Sequence, residues 1–374
     1  MSDPAAPARI ETAADDERYM TLALALGRRG LGNTWPNPAV GAVIVKDGVI
    51  VGRGWTQPGG RPHAEVEAIK QAKKNAQGAT LYATLEPCSH QGKSPPCADA
   101  IIRAGIARVV SAIEDPNPEV AGKGHKKLRA KGITVDVGMG AAEARRAHAG
   151  HFARVQKSRP FVTLKLALSK DDKAGLAGRK PIALSGEAAR SRVFQMRSQN
   201  DAILVGIGTV VSDNPQLNCR LPGMLERSPV RVVLDASLKL PLATSVVATV
   251  SASPTWVFTS RKPSAIAEEI LQQRGCKVFR VADQNGKLDL DEVLKVLAEQ
   301  GITRLMVEGG PTVAAAFVGG DLVDEAVLLR ADKTIGPDGI DGLEGMALSA
   351  LTETLQSRGS EKLGTDTVET FERA

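Results

Sequence analysis

The succession of apolar and polar positions divides the chain into two α/β stretches. Apolar residues recur at helical spacing over 15–29. Asp15 and Asp16 stand where an N-cap belongs, and Arg28 and Arg29 suit the negative end of the helix dipole before Gly30. The runs 39–45 (AVGAVIV) and 49–54 flank Lys46-Asp47-Gly48 and read as a hairpin. The pattern then predicts a helix from about His63 to Asn75, a strand over 80–86 ending at Pro87, and a helix from near Cys97. A strand over 107–113, a basic solvated helix over 123–131, a strand over 133–137 and a helix over 141–156 follow.

Arg159-Pro160 opens the second stretch. Strands are expected at 161–168, 201–205, 230–234, 255–259, 277–281, 303–307 and 325–330. Helices are expected at 186–198, 263–273, 290–300 and 311–319. Strands alternating with helices predict a mostly parallel sheet. The Ala- and Pro-rich residues 1–14 are expected to be a disordered tail, with domains over 15–156 and 157–374.

Composition narrows the class. With 374 residues, 43% hydrophobic and 24% charged, the chain fits a soluble globular protein of two domains, not a disordered or fibrous one. Its four Cys are too few for a secreted disulfide framework. No apolar run approaches the roughly 20 residues of a membrane helix, and the acidic start does not read as a secretory signal. A reducing, cytoplasmic location is the expectation. Residues 1–156 hold 21 Lys/Arg against 15 Asp/Glu, whereas 157–374 hold 27 of each. The net +6 therefore sits on the first domain. With aromatics at 3%, stacking platforms for nucleic-acid bases are few, and a phosphorylated small substrate explains the same bias. No nucleic-acid or membrane partner is expected.

One constellation carries chemistry in the first domain. His63-Ala64-Glu65 opens a helix, Cys88 follows Pro87 at a strand end, and Cys97 follows Pro96 at a helix start. Helix N-termini favour thiolates. One imidazole and two thiolates supply three tetrahedral zinc ligands and leave the fourth position to water, whose pKa a bound ion lowers to roughly 7. Glu65, two residues from the His, is placed to shuttle the proton. Cys219 and Cys276 lack such neighbours and read as structural.

These residues resemble the signature of the zinc-dependent cytidine deaminase superfamily, H-x-E followed by P-C-x-x-C. Here eight residues separate the two cysteines. That longer loop, SHQGKSPP, together with Asn37-Pro38 and the turn Asp115-Pro116-Asn117-Pro118, resembles the deaminase half of the bifunctional riboflavin biosynthesis enzymes. The resemblance implies a three-layer cytidine-deaminase-like domain in which His63, Cys88 and Cys97 bind one Zn2+ and Glu65 is the acid/base. It places Asn37, His90, Lys93, Asp115 and Asn117 around the substrate. A P-loop reading of Gly92-Lys93-Ser94 fails, because Pro87 occupies the required Gly position.

In the second domain, Gly206-Ile207-Gly208-Thr209 follows a strand, but Val211 replaces the third Gly of a dinucleotide fingerprint. Glu308-Gly309-Gly310-Pro311-Thr312 is a better phosphate turn: glycines at a strand-to-helix junction with Pro in the first helical turn. The order TLKLALS (163–169), GIGTVVSDNP (206–215), LNCR (217–220), LD (234–235) and VEGGPT (307–312) resembles the reductase half of the same enzymes, which is dihydrofolate-reductase-like. The resemblance assigns NADPH to Ala167, Thr209, Asp213, Ser237 and the run Gly310, Pro311, Thr312, Val313, Ala314, Ala315, Ala316. It assigns the phosphorylated substrate to Ser185, Arg197, Leu217, Arg220 and Glu308. Some family members carry a Trp near the cofactor where 179–185 has none, so only Ser185 is taken from that segment. The resemblance implies a deamination followed by an NADPH-dependent reduction, in a homo-oligomer of two or four copies. The alternative is a deaminase of nucleic-acid bases with the second domain as scaffold.

Overall fold

The computed structural model describes residues 12–92, 94–179 and 182–373. The chain divides into two compact units, one ending at Ser158 and one beginning at Arg159. Lys93 and most of the expected tail lie outside the described residues.

In the first unit, α1 (Ala13–Arg28) begins two residues earlier than expected. Thr12, not Asp15 or Asp16, is the N-cap, and Asp15 closes a reciprocal capping box with it. Then come β1 (Gly41–Lys46), β2 (Val49–Trp55), α2 (Ala64–Ala72), β3 (Thr80–Ala83), α3 (Cys97–Arg103) and β4 (Arg108–Ser111). The unit ends with α4 (Lys123–Arg129), β5 (Thr134–Val137), α5 (Ala141–Ala147) and α6 (Ala149–Lys157). The single helix expected over 141–156 is two, broken at His148, whose φ of −97° and ψ of 12° leave the helical region. The basic run is not a wholly solvated face: α4 buries Gly124, His125 and Leu128.

The sheet runs β2-β1-β3-β4-β5, antiparallel across β2-β1-β3 and parallel across β3-β4-β5. Alternation along β1 makes three layers. Gly41 faces α1: a Cβ there would lie 1.8 Å from the Ala23 carbonyl oxygen. Ala42 points to the other face with its cross-strand partner Gly54, and that face carries α2. A Cβ on Gly54 would lie 2.1 Å from the Ala64 carbonyl oxygen, so the bare β2 backbone is what lets α2 settle on it. Ala64 stands between His63 and Glu65. Gly54→Ala is therefore expected to cost about 1–3 kcal/mol by overpacking and to lower metal retention, checked by urea unfolding and metal analysis.

The second unit comprises β6 (Phe161–Leu168), β7 (Lys173–Gly175), α7 (Glu187–Gln199), β8 (Ala202–Gly206), α8 (Ile207–Asp213), β9 (Val230–Leu234) and α9 (Ser245–Ala248). It continues with β10 (Thr255–Ser260), α10 (Ala265–Gln273), β11 (Lys277–Val281), β12 (Asp283–Gln284), β13 (Lys287–Leu288), α11 (Leu290–Glu299) and β14 (Arg304–Val307). The last elements are α12 (Pro311–Gly319), β15 (Glu325–Arg330), β16 (Ile340–Asp341), α13 (Ser349–Thr352), β17 (Gln356–Leu363) and β18 (Asp366–Glu372).

Nine strands form one sheet in the order β11-β10-β9-β8-β14-β6-β15-β18-β17. It is parallel from β11 to β15, and the C-terminal hairpin β17-β18 is antiparallel. The buried parallel strands carry continuous apolar runs, such as AILVG in β8 and LMV (305–307) in β14. The strand order reverses where β14 enters between β8 and β6. Open α/β sheets leave a crevice beyond the strand ends at such a point. Among the described residues, no helix is long and apolar enough to cross a membrane.

Candidate active sites

In the first unit, His63 is the N-cap of α2, but its side chain makes no capping bond. The imidazole is thereby left for other work. Cys97 is the first residue of α3, with Pro96 as N-cap. The Cys97 amide donates to Cys88 Sγ at 3.3 Å. His63 Nδ1 lies 3.3 Å from Cys97 Sγ and 3.7 Å from Cys88 Sγ. The three donor atoms fall within 4.8 Å of one another, and no fourth His, Cys, Asp or Glu joins them among the described residues. Tetrahedral zinc with Zn–S of about 2.3 Å and Zn–N of about 2.0 Å separates its ligand atoms by about 3.5–3.8 Å. The donor set therefore fits a zinc ion with one open position.

Proton sharing inside the cluster is uneven. The hydrogen bond from Cys97, then that from His63, holds the Cys88 thiol down at about 4. The same contact with Cys88, together with burial, pushes Cys97 well up. Cys88 also raises His63. Glu65 is 3% exposed. Burial lifts its carboxyl above the usual range, and the Cys97 thiol is among its hydrogen-bond partners.

The other expected deaminase residues are placed as follows. Asn37 Nδ2 donates to the Gly60 carbonyl at 2.8 Å, in the loop leading to His63. His90 is exposed. Asp115 is buried: its Oδ1 accepts from the Asn117 amide at 2.8 Å and faces His151 Nε2 at 3.0 Å. Asn117 Oδ1 in turn accepts from the Glu119 amide at 3.0 Å. The sequence reading did not single out His151, because its partner lies 36 positions away.

In the second unit a cavity of about 330 Å³ opens at the reversal of strand order. Ala167, Arg197, Thr209, Asp213, Leu217, Glu308, Gly310 and Pro311 line it, all from the expected set. The turns β8-α8 and β14-α12 are joined there by the Gly310 amide, which donates to Thr209 Oγ1 at 3.1 Å. The structure narrows the run 310–316. Ala314 is fully buried, and the amides of Val313 and Ala314 are already bonded to the Gly310 carbonyl. Thr312 is exposed and turned to Glu344. Ser185, Arg220 and Ser237 are not among the lining residues. Ser237 is exposed, and the Arg220 guanidinium lies over the Phe194 ring at 4.8 Å.

Arg197 lines the cavity with its side chain already engaged. Its Nε and Nη2 donate to both Glu308 oxygens at 2.7 and 2.9 Å, and its Nη1 to the Asn218 carbonyl at 3.1 Å. The guanidinium fork is committed within the protein. Lys165, which the sequence reading missed, lines the same cavity with Nζ 3.9 Å from Glu308 Oε2. Burial depresses the Lys165 ammonium. Burial also works against the Glu308 carboxylate, but the charges of Arg197 and Lys165 outweigh it and hold Glu308 below its ordinary range.

The chain matches the family model of the cytidine and deoxycytidylate deaminase zinc-binding region over residues 13–113 and that of the RibD C-terminal domain over residues 160–368. It is 42% identical over 360 residues to the riboflavin biosynthesis protein RibD of Aquifex aeolicus, covering 96% of this chain and 98% of that one. The structure of Acinetobacter baumannii RibD superposes with a TM-score of 0.87 at 33% identity, covering 96% of this chain and 99% of the other. A diaminohydroxyphosphoribosylaminopyrimidine deaminase/5-amino-6-(5-phosphoribosylamino)uracil reductase from Thermotoga maritima gives a TM-score of 0.84 at 34% identity, with coverage of 96% and 99%. Two catalytic units in this order, matched end to end by these relatives, mean that the chain belongs to the RibD family of riboflavin biosynthesis proteins.

Proposed function

We propose that the first unit hydrolytically deaminates 2,5-diamino-6-(5-phosphoribosylamino)pyrimidin-4(3H)-one. The second then reduces the ribosyl group of the product to give 5-amino-6-(5-phosphoribitylamino)uracil. The observation that carries this reading is the convergence of His63, Cys88 and Cys97 beside the buried Glu65. When bound, zinc supplies an activated water and NADPH supplies the hydride. His63, Cys88 and Cys97 hold the ion. Glu65 takes a proton from the attacking water and returns it to the departing amine; its burial raises the carboxylate's affinity for that proton. Asn37, His90, Lys93, Asp115 and Asn117 orient the pyrimidine and its phosphate.

In the second unit the N-terminal turn of α12 and Thr209 form the cofactor side of the cavity. Glu308, Leu217 and Ser185 meet the substrate, with Arg197 fixing Glu308. Asp213, which lines the cavity, and Ser237 contact the cofactor, and Arg220 contacts the substrate. A built cavity lined by the expected residues speaks against a scaffold-only second unit and a nucleic-acid base as substrate. The reading includes a cytoplasmic homo-oligomer, tested by light scattering. The enzymatic test follows zinc content, ammonia release and NADPH oxidation together. Cys97→Ala is expected to lose most of the zinc and the ammonia release while NADPH oxidation with supplied intermediate continues. Retention of zinc and deamination would refute the ligand assignment.

A further inference from the structure

Glu86, just before Pro87-Cys88, is 3% exposed, and its carboxylate is surrounded by backbone amides. Its Oε2 accepts from Asp115 at 3.3 Å and Gly122 at 2.9 Å. Its Oε1 accepts from Gly124 at 2.8 Å and His125 at 3.3 Å. The Glu86 amide donates to the Ile113 carbonyl at 3.0 Å. The segment from Ile113 to His125 is thus wrapped around one side chain. Gly124 presses it onto the site, since a Cβ there would lie 2.0 Å from the Pro87 carbonyl oxygen. Asp115 and Asn117 stand within this loop.

Glu86, Glu114 and His125 also lie close enough to share an ion. A carboxylate offers about four lone-pair sites, and each Glu86 oxygen already takes two amides. Glu114 is exposed. The saturation of Glu86 points to a clasp for the loop, not a second metal site.

We propose that Glu86 is a positioning residue for deamination: its buried carboxylate ties the loop carrying Asp115 and Asn117 to the segment carrying Cys88. The proposal rests on the deaminase reading of the first unit. Charge-assisted bonds from four amides hold the loop more firmly than neutral ones would. A Gln side chain would turn an NH2 group toward amide donors and break at least two of them.

The experiment compares the full chain with Glu86→Gln, Asn117→Ala and the double variant. Glu86→Gln is expected to raise KM for the pyrimidine, lowering kcat/KM by about 10- to 100-fold. Its zinc content, and reduction of supplied intermediate in the other unit, should match wild type. Hydrogen exchange at the amides of Asp115, Gly122, Gly124 and His125 should accelerate. Because Glu86 acts through the loop, the double variant should show less than the summed effect of the single ones. Wild-type KM with unchanged exchange would overturn the proposal, and so would strict additivity. If Glu86→Gln does not fold, Glu86→Asp, one methylene too short to reach all four amides, is read by the same measures. Failure of the wild-type chain to release ammonia would sink the deaminase reading instead, and the exchange rates would still decide the clasp.

Discussion

Glu65→Ala is expected to slow ammonia release by about 10²- to 10⁴-fold, the usual worth of a positioned acid/base, while zinc and NADPH-dependent reduction of supplied intermediate are retained. The separation follows from the geometry. Glu65 adjoins the cluster but is not one of its three close donors, so its removal leaves the ligands intact. The reduction cavity is built wholly from residues of the second unit. The assay pairs ammonia release with NADPH absorbance on one preparation. Loss of both activities would contradict two separate sites.

Arg197→Met is expected to lower the stability of the chain by about 3–5 kcal/mol, the cost of stranding one member of a buried ion pair, and to depress reduction in parallel. Arg197 and Glu308 are 10% and 8% exposed at their side chains, so solvent does little to screen the pair. In the wild type the Glu308 carboxyl lies below its ordinary 4.5. A depressed folded-state value means that this stabilisation is complete above the unfolded value and is lost as pH falls through the folded one. In the variant, burial acts on Glu308 with only Lys165 to oppose it, so the group favours its protonated form. The deficit should therefore narrow as pH falls from neutrality toward 5. Urea unfolding at several pH values measures both effects. A midpoint unchanged at neutral pH would show that Arg197 does not stabilise Glu308, while ammonia release should be untouched in either case.

Much of the fold could be read from the chain because local pattern and tertiary demand coincide. The central parallel strands are buried and mostly apolar, as in AILVG of β8, where every residue is buried. The hairpin β17-β18 escaped because QSRGSEKL is exposed along almost its whole length and carries no alternation. It is a strand because β18 pairs with it and, on the other side, with β15. The helix α8 escaped because GIGTVVSD reads first as a glycine turn.

The chain alone determined the metal chemistry: His63, Cys88 and Cys97 are soft donors at helix starts and a strand end, and that choice of residue types is local. It also determined the two glycine turns, since backbone freedom is a property of single positions. What each charge faces was decided only by tertiary structure. Glu308 and Arg197 are 111 positions apart, His151 and Asp115 are 36 apart, and the Glu86 amide donors come from 29 to 39 positions further on. A charged side chain looks the same in sequence whether it meets water, a ligand or a buried partner. Only the packing that excludes water around it selects among the three.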